Sequence, residues 1–341
     1  MMRQIKISLA VFALLALFNN FGFAQGNGSK YAGEFLAIGV GGRALGMGSA
    51  YVALVNDITA GYWNPALLSK INYPQLSLMH DARFGNLLNY NYGAVAIPLG
   101  KNQSIGLSVI VNGIDDIPDT RQAAIYYGNE LRIDPDKVTY FNANDYAFLL
   151  TYSKKQSDKF SYGANFKVIR RTLGDAGDAW GLGFDLGVFY NPYKNLLLGA
   201  NVQDITTTYV AWSTGKKENI SPTLKLGSAY ILDVPSIKGT ITPAVDFDVR
   251  FENRRTASNF NLGPVSFDFH GGLEYTYDRL VSIRGGYNEI GDLTIGAGIK
   301  LPKIDIDYSF TGGFKDDPEK LGNTHRISLI FTLEEEKFRR K

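Results

Sequence analysis

Val265–Tyr277 reads VSFDFHGGLEYTY. Its odd positions, Val265, Phe267, Phe269, Gly271, Leu273, Tyr275 and Tyr277, are apolar or aromatic. Its even positions include Ser266, Asp268, His270 and Glu274. Strict alternation is the signature of a strand whose two faces meet different surroundings. A run of this length crosses a bilayer when tilted. Working outward, the pattern recurs. Phe160, Tyr162, Ala164, Phe166 and Val168 alternate with Ser161, Gly163, Asn165 and Lys167. Ile241, Val245, Phe247 and Val249 oppose Thr242, Asp246, Asp248 and Arg250. Ile304, Ile306, Tyr308 and Phe310 oppose Asp305, Asp307 and Ser309, and Ile327, Leu329, Phe331 and Leu333 oppose Arg326, Ser328 and Thr332. Fainter versions occupy 74–82, 88–98, 104–113, 144–153, 181–190, 195–204, 222–231, 279–288 and 291–301. The tally is about fourteen, an even number of the kind bacterial membrane barrels show. Pro243 is the weakest point in it, because proline donates no ladder hydrogen bond.

The spacers sort by length. Gly100–Gln103, Lys154–Lys159, Asn191–Lys194, Asp233–Lys238, Asp278 and Pro302–Lys303 are short. Gly113–Asn144, Gly174–Gly181, Ile205–Ser221, Asn253–Pro264 and Gly312–Asn323 are longer. Outer-membrane barrels have short periplasmic turns and longer outside loops. The phase fits a first strand running outward, with both termini periplasmic. The expected fold is therefore all-β: a transmembrane antiparallel barrel over 73–333, followed by a charged periplasmic tail, 334–341.

Residues 1–24 read as a secretory signal. Arg3 and Lys6 precede the apolar run Ile7–Phe18, and Gly22-Phe23-Ala24 is a small-x-small cleavage site. Between signal and strands lies 25–72. Its segment FLAIGVGGRALGMGSAYVALVNDITAGYWNPALLSKI (35–71) is rich in glycine and alanine. It is too interrupted for a membrane helix, so it is expected to fold as a plug in the lumen. Inward-facing charge supports that placement. Asp185, Asp246, Asp248, Asp268, Asp305, Asp307, Lys167, Lys225, Arg250 and Arg326 fall on the non-apolar faces. An Arg or Lys facing lipid near the midplane costs about 2–4 kcal/mol. Arg43 in the plug is expected to pair with one of these carboxylates or with Asp57.

Composition narrows the function. The chain has no cysteine, which excludes disulfide staples and thiolate metal sites. A net charge of +2 over 341 residues gives no basis for nucleic-acid binding. Twenty-one Phe, 20 Tyr and 37 Gly at a mean hydropathy near zero suit a barrel with aromatic girdles. His80, His270 and His325 lie far apart in sequence with no metal-binding spacing, so neither an enzyme nor a cofactor is expected. Asp115, Asp116 and Asp119, or Asp175 and Asp178, have the chemistry of calcium ligands. Solvated, turn-forming carboxylates give the same pattern. Tyr126, Tyr127, Tyr140, Phe141, Tyr209 and Trp212 fall in expected outside loops. They suit a protein-binding surface or a gate for apolar ligands, and equally a girdle.

Several blocks together resemble the PorV/PorQ family of outer-membrane proteins. They are AIGVGGRALGMG (37–48) with AYVAL (50–54), YWNPA (62–66), GIDDIPDTR (113–121) and LGNTHRISL (321–329). The Asn64-Pro65-Ala66 element is shared more loosely with FadL-type fatty-acid channels. The resemblance implies a FadL-like barrel that serves type IX secretion. Its partners would be outer-membrane lipids and either a translocon and cargo C-terminal domains or a surface-attachment complex. Arg43, Asp57, Asn64 and Pro65 would then be structural plug residues. Asp115, Asp116, Asp119 and Arg121 would form a partner-binding loop, with Asp246, Asp248, Asp268, Asp305, Asp307 and Arg326 lining the lumen. The other function weighed is a FadL-like channel for fatty acids or other apolar compounds. The tail Glu334-Glu335-Glu336-Lys337 departs from the terminal aromatic usual in barrels, and leaves Phe331 as the last girdle residue.

Overall fold

The computed structural model describes residues 33–83, 87–127, 130–175, 177–251, 258–312 and 323–340. The expected signal, 1–24, and the start of the expected plug, 25–32, lie outside the described residues, as does Leu321-Gly322. Fourteen antiparallel strands form the wall. The first seven are β1 Gln75–Arg83, β2 Leu88–Leu99, β3 Gln103–Asp119, β4 Thr139–Lys155, β5 Phe160–Leu173, β6 Asp178–Tyr193 and β7 Leu196–Gln203. The rest are β8 Thr223–Tyr230, β9 Gly239–Arg250, β10 Val265–Tyr277, β11 Val281–Tyr287, β12 Leu293–Leu301, β13 Ile304–Gly312 and β14 Thr324–Thr332. Each pairs with its sequence neighbour, and β14 returns to β1 with Arg326 opposite Asp81, closing the barrel. Closure leaves no unpaired edge, which is what a sheet in hydrocarbon requires.

Alternation sets the two surfaces. Leu76, Leu107, Leu150, Phe166, Leu182 and Ile295 are exposed on the outside. Tyr152, Tyr162, Tyr190, Tyr230 and Tyr277 ring the short-turn end, and Trp180, Tyr209 and Tyr287 the long-loop end. This is the banded exterior of a membrane barrel. Pro243 keeps its place in β9 opposite Leu273, with its side chain on the outer face.

One expectation about connections changes. Gly113–Asn144 is not a plain loop: β3 runs on to Asp119 and β4 begins at Thr139, with a register shift between Ile114 and Ile117. Asp116 takes φ +55° there, a conformation that aspartate tolerates better than most residues. Asp115, Asp116 and Asp119 thus sit on a ladder that rises past the belt. Above it a separate hairpin, Ala124–Tyr127 with Glu130–Ile133, stands off the wall. The spacer after β7 holds a second hairpin, Thr208–Trp212 with Lys217–Ile220, which extends β6 through Tyr209 opposite Leu182.

Residues 33–72 run through the lumen from one end to the other. Phe35 lies beside Arg171 near the long-loop end. At the short-turn end the amide of Leu333 donates to the carbonyl of Pro74, and that of Arg340 to the carbonyl of Asn72. The first described residue and the C-terminal tail are therefore at opposite ends of the barrel; the expected mature N-terminus at 25 lies outside the described residues. Short helical turns lie at Glu34–Ala37, Gly42–Gly46, Ala60–Trp63 and Pro65–Lys70, with glycines at positive φ, Gly39, Gly41 and Gly48, at the bends on either side of the second. The glycines allow backbone to meet backbone. A Cβ on Gly286 would lie 2.2 Å from the amide of Gly48, and one on Gly272 would lie 2.5 Å from the carbonyl of Met47.

Candidate functional site

The site is the plug and the wall it touches, and the two sides of that contact differ. On the side of β9–β14 the contact is ionic and hydrogen-bonded. Arg43 sends Nε and Nη2 to the two oxygens of Glu274 at 2.9 and 2.8 Å, a bidentate pair, and Nη1 to Asn56 Oδ1 at 2.7 Å. Arg284 reaches the same carboxylate at 2.6 Å and Asp307 at 2.6 Å. Asp246 accepts the backbone N–H groups of Tyr51 and Val52, both at 2.7 Å. Gly42 donates to Ser328 Oγ at 2.9 Å, and Thr294 donates to the carbonyl of Gly46 at 3.1 Å. His270 Nδ1 lies 3.0 Å from the carbonyl of Gly48 and 3.4 Å from Glu289.

The middle strands β4–β7 also hold the plug through polar groups. Asn165 Nδ2 donates to the carbonyl of Gly61 at 2.8 Å, and Asn201 Nδ2 to that of Trp63 at 3.0 Å. Asn64 is fully buried and makes three bonds. Its Oδ1 caps the turn at Ala66, and its Nδ2 donates to the carbonyls of Val52 and Val188, each at 3.0 Å. Pro65 takes the first position of that turn, where its missing N–H costs nothing. Gly163 and Gly187 leave room for both residues.

Along β1–β3 the contact is apolar. Met79, Tyr90, Tyr92, Ala94, Ala96 and Ile110 are buried against Leu67, Leu68, Tyr62 and Trp63 in one hydrophobic cluster. Tyr62 and Trp63 pack edge to face, with ring centroids 5.0 Å apart. Among the described residues, the direct polar tie from these three strands to the plug is the amide of Gly41 on Met79 Sδ at 2.9 Å.

The expected site residues distribute as follows. Arg43 pairs with Glu274, not with Asp57. Asp57 instead closes a local turn, accepting from Thr59 N at 2.8 Å, Thr59 Oγ1 and Tyr51 OH. Asp248 pairs with Lys225 and lies 3.6 Å from His270, and Asp268 is 3.9 Å from Arg250. Asp305 faces Lys300 at 3.5 Å, near the short-turn mouth. Arg326 binds Asp81 at 2.8 Å. Lys167 lies between Asp185 at 3.1 Å and Asp204 at 2.7 Å. Most of these charges are thus neutralised in place. Asp119 is held by Arg121, whose side-chain and backbone N–H groups pull its carboxyl down to about 2. Among the described residues no group of three or more His, Asp or Glu is placed to hold a metal ion.

Glu274, Arg284, Asp81, Asn165 and Asn201 were not among the expected site residues. Glu274 shares the inward face of Val265–Tyr277 with Asp268 and His270, so alternation alone marks it. Asp81 falls in one of the fainter runs, 74–82, where apolar Met79 shares its inward face and His80 sits on the outer one, which blurs the alternation.

No family model matches the chain, and no curated protein sequence does. Solved structures do match. The toluene transporter TbuX of Ralstonia pickettii aligns over 86% of this chain and 98% of its own, at 14% identity and TM-score 0.60. The toluene transporter TodX of P. putida aligns over 87% and 99%, at 12% identity and TM-score 0.60. A FadL homologue of Pseudomonas aeruginosa aligns over 86% and 98%, at 11% identity and TM-score 0.55. At these identities the likeness is one of fold: a FadL-like barrel.

Proposed function

We propose that this barrel is an outer-membrane channel for small apolar molecules, whose plug parts from the wall along β1–β3. One observation carries the reading. Charged and amide groups hold the plug over most of the circumference, while three adjacent strands touch it through Met79, Tyr92, Ile110 and their neighbours. An apolar molecule entering there replaces one apolar contact with another. Entry on the opposite side would strip paired charges at a cost of several kcal/mol. On alternation alone the inward acids point to a polar interior, which suits a secretion role better than an apolar channel. The burial and internal pairing of most of them remove that support.

The test uses the absence of native cysteine. A Cβ on Gly106 would lie 3.0 Å from Leu68 Cδ2, so the two positions touch across the seam, and Leu68→Cys with Gly106→Cys is the pair to cross-link, with closure of the bridge checked by thiol titration. In a host lacking its own channel, labelled toluene uptake is expected to fall to background when the pair is oxidised and to recover on reduction. Undiminished uptake by the oxidised pair refutes a passage at this seam.

A second reading, a docking subunit of protein secretion of the PorV/PorQ type, is favoured by the free-standing hairpin. Tyr126, Leu131 and Ile133 on it are exposed, and nothing in the barrel's closure needs them. A mild-detergent pull-down that recovers a large barrel translocon, cargo C-terminal domains or attachment proteins supports this reading. Recovery of the barrel alone counts against it.

A further inference from the structure

Above the apolar seam the wall changes chemistry within one step of the ladder. Met79, Tyr92, Ile110, Ala147 and Ile169 stand opposite one another across β1–β5. Two residues nearer the loop end runs a second row in the same register: Arg326, Asp81, Tyr90, Asn112, Asp145 and Arg171. Its ionised members neutralise each other. Arg326 Nε meets Asp81 Oδ2 at 2.8 Å, and Arg171 Nε meets Asp145 Oδ1 at 2.6 Å.

Three atoms at the centre of the row remain. Asp81 Oδ1, Tyr90 OH and Asn112 Oδ1 come from consecutive strands, are buried, and have no hydrogen-bond partner among the described residues. Two of them are pure acceptors, and the third is a hydroxyl that serves either way. Leaving such a group unmet in a protein interior costs about 1–3 kcal/mol. The complement to this shelf is a hydrogen-bond donor on an otherwise apolar body. An ionised carboxylate suits these three atoms less well: it donates nothing and would face the oxygen of Asp81, and the cations nearest to it, Arg326 and Arg83, already act on Asp81.

We propose that the seam selects small hydroxylated apolar molecules of the phenol class. The hydroxyl donates to Asp81 Oδ1 or Asn112 Oδ1, and the ring rests on Met79, Tyr92 and Ile110. Tyr90, between the two acceptors, accepts from or donates to the same hydroxyl. This inference rests on the channel reading and adds to it a choice of substrate.

The test is 19F NMR of the purified barrel in detergent micelles with 4-fluorophenol, 4-fluorotoluene and 4-fluorobenzoate. Expected is binding of the phenol about tenfold tighter than the toluene, the value of one net hydrogen bond, with the benzoate weakest. Asn112→Leu is expected to collapse the phenol-to-toluene ratio towards one. Tyr90→Phe tests the same row if the first variant does not fold, and is expected to lower the ratio. Equal binding of phenol and toluene, unmoved by either variant, overturns the proposal and leaves the channel reading standing. The three oxygens are then met by ordered water alone. Binding of none of the three ligands overturns both.

Discussion

The plug touches two walls built from the same alternating strands, yet held in opposite ways. Against β9–β14 it is fixed by directed bonds. Arg43 forks onto Glu274, Asp246 collects two backbone amides, and Ser328 and Thr294 take one bond each. Against β1–β3 it is fixed by shape, through Met79, Tyr90, Tyr92 and Ile110. A directed ionic contact is two-state, because moving one partner leaves the other buried and unpaired. An apolar contact is tolerant, because another apolar surface replaces it at little cost. A plug that must stay in its barrel and still yield on one side needs both kinds.

The largest effect is expected where this contrast is broken at its firmest point. Glu274 serves Arg43 and Arg284 together. Glu274→Ala strands two guanidinium groups and should cost about 3–5 kcal/mol. Hydrogen–deuterium exchange of the Gly42–Val55 amides is the readout. A marked acceleration there, with the amides of β2 and β3 unchanged, is expected. Equal acceleration along both walls would mean that the two sides are not distinct.

The contrast was half legible in the sequence. Period-two alternation gave fourteen strands and their inward charges, because each strand reports its own two faces. Asn64 and Pro65 were marked as plug residues, and the structure shows why the pair works: a capped turn seated over Gly163 and Gly187. The partner of Arg43 was not legible. Alternation says that Glu274 and Asp246 both point inward, but only the closed register says which of them the plug reaches. The apolar seam was hidden for a related reason. Inward Met79, Tyr90 and Tyr92 look like lapses in a polar face until the plug is laid against them. Asp115, Asp116 and Asp119 were read as loop residues because the bulge at Ile114–Ile117 interrupts the alternation that would have extended β3.

A smaller effect is expected at the short-turn end of the plug. Lys70 Nζ sits 3.8 Å from the centre of the Phe189 ring, and burial pushes its ammonium from 10.5 down to about 8. Between those values the unfolded chain holds more protons than the folded one, so stability rises with pH across that window. The side chain is not wholly enclosed, so the rise is about 2 kcal/mol rather than the full shift. Thermal midpoints of wild type measured from pH 7 to 10.5 are expected to climb relative to Lys70→Met, which removes the titrating group. Parallel curves would place Lys70 in water.

The smallest effect sharpens the comparison at the one place where the tolerant wall is reinforced. The charged tail folds back across the short-turn mouth. Arg340 sends Nε and Nη2 to the carbonyl of Ile71 at 3.0 and 2.7 Å, Nη1 to the carbonyl of Gln103 at 2.7 Å, and Nη2 to Ser104 Oγ at 2.6 Å. One guanidinium therefore joins the end of the plug, at Ile71, to the start of β3, on the side where direct polar ties are otherwise sparse. The group is partly open to solvent, so Arg340→Ala should cost only about 1–2 kcal/mol. The loss should also be local, with faster exchange of the Leu67–Ile71 amides and none at Gly42–Val55. Arg340→Lys keeps the charge but lacks the planar fork, and should recover only part of the protection. A lysine variant as protected as wild type would show that charge at the mouth, and not the bridge from Ile71 to β3, steadies this end of the plug.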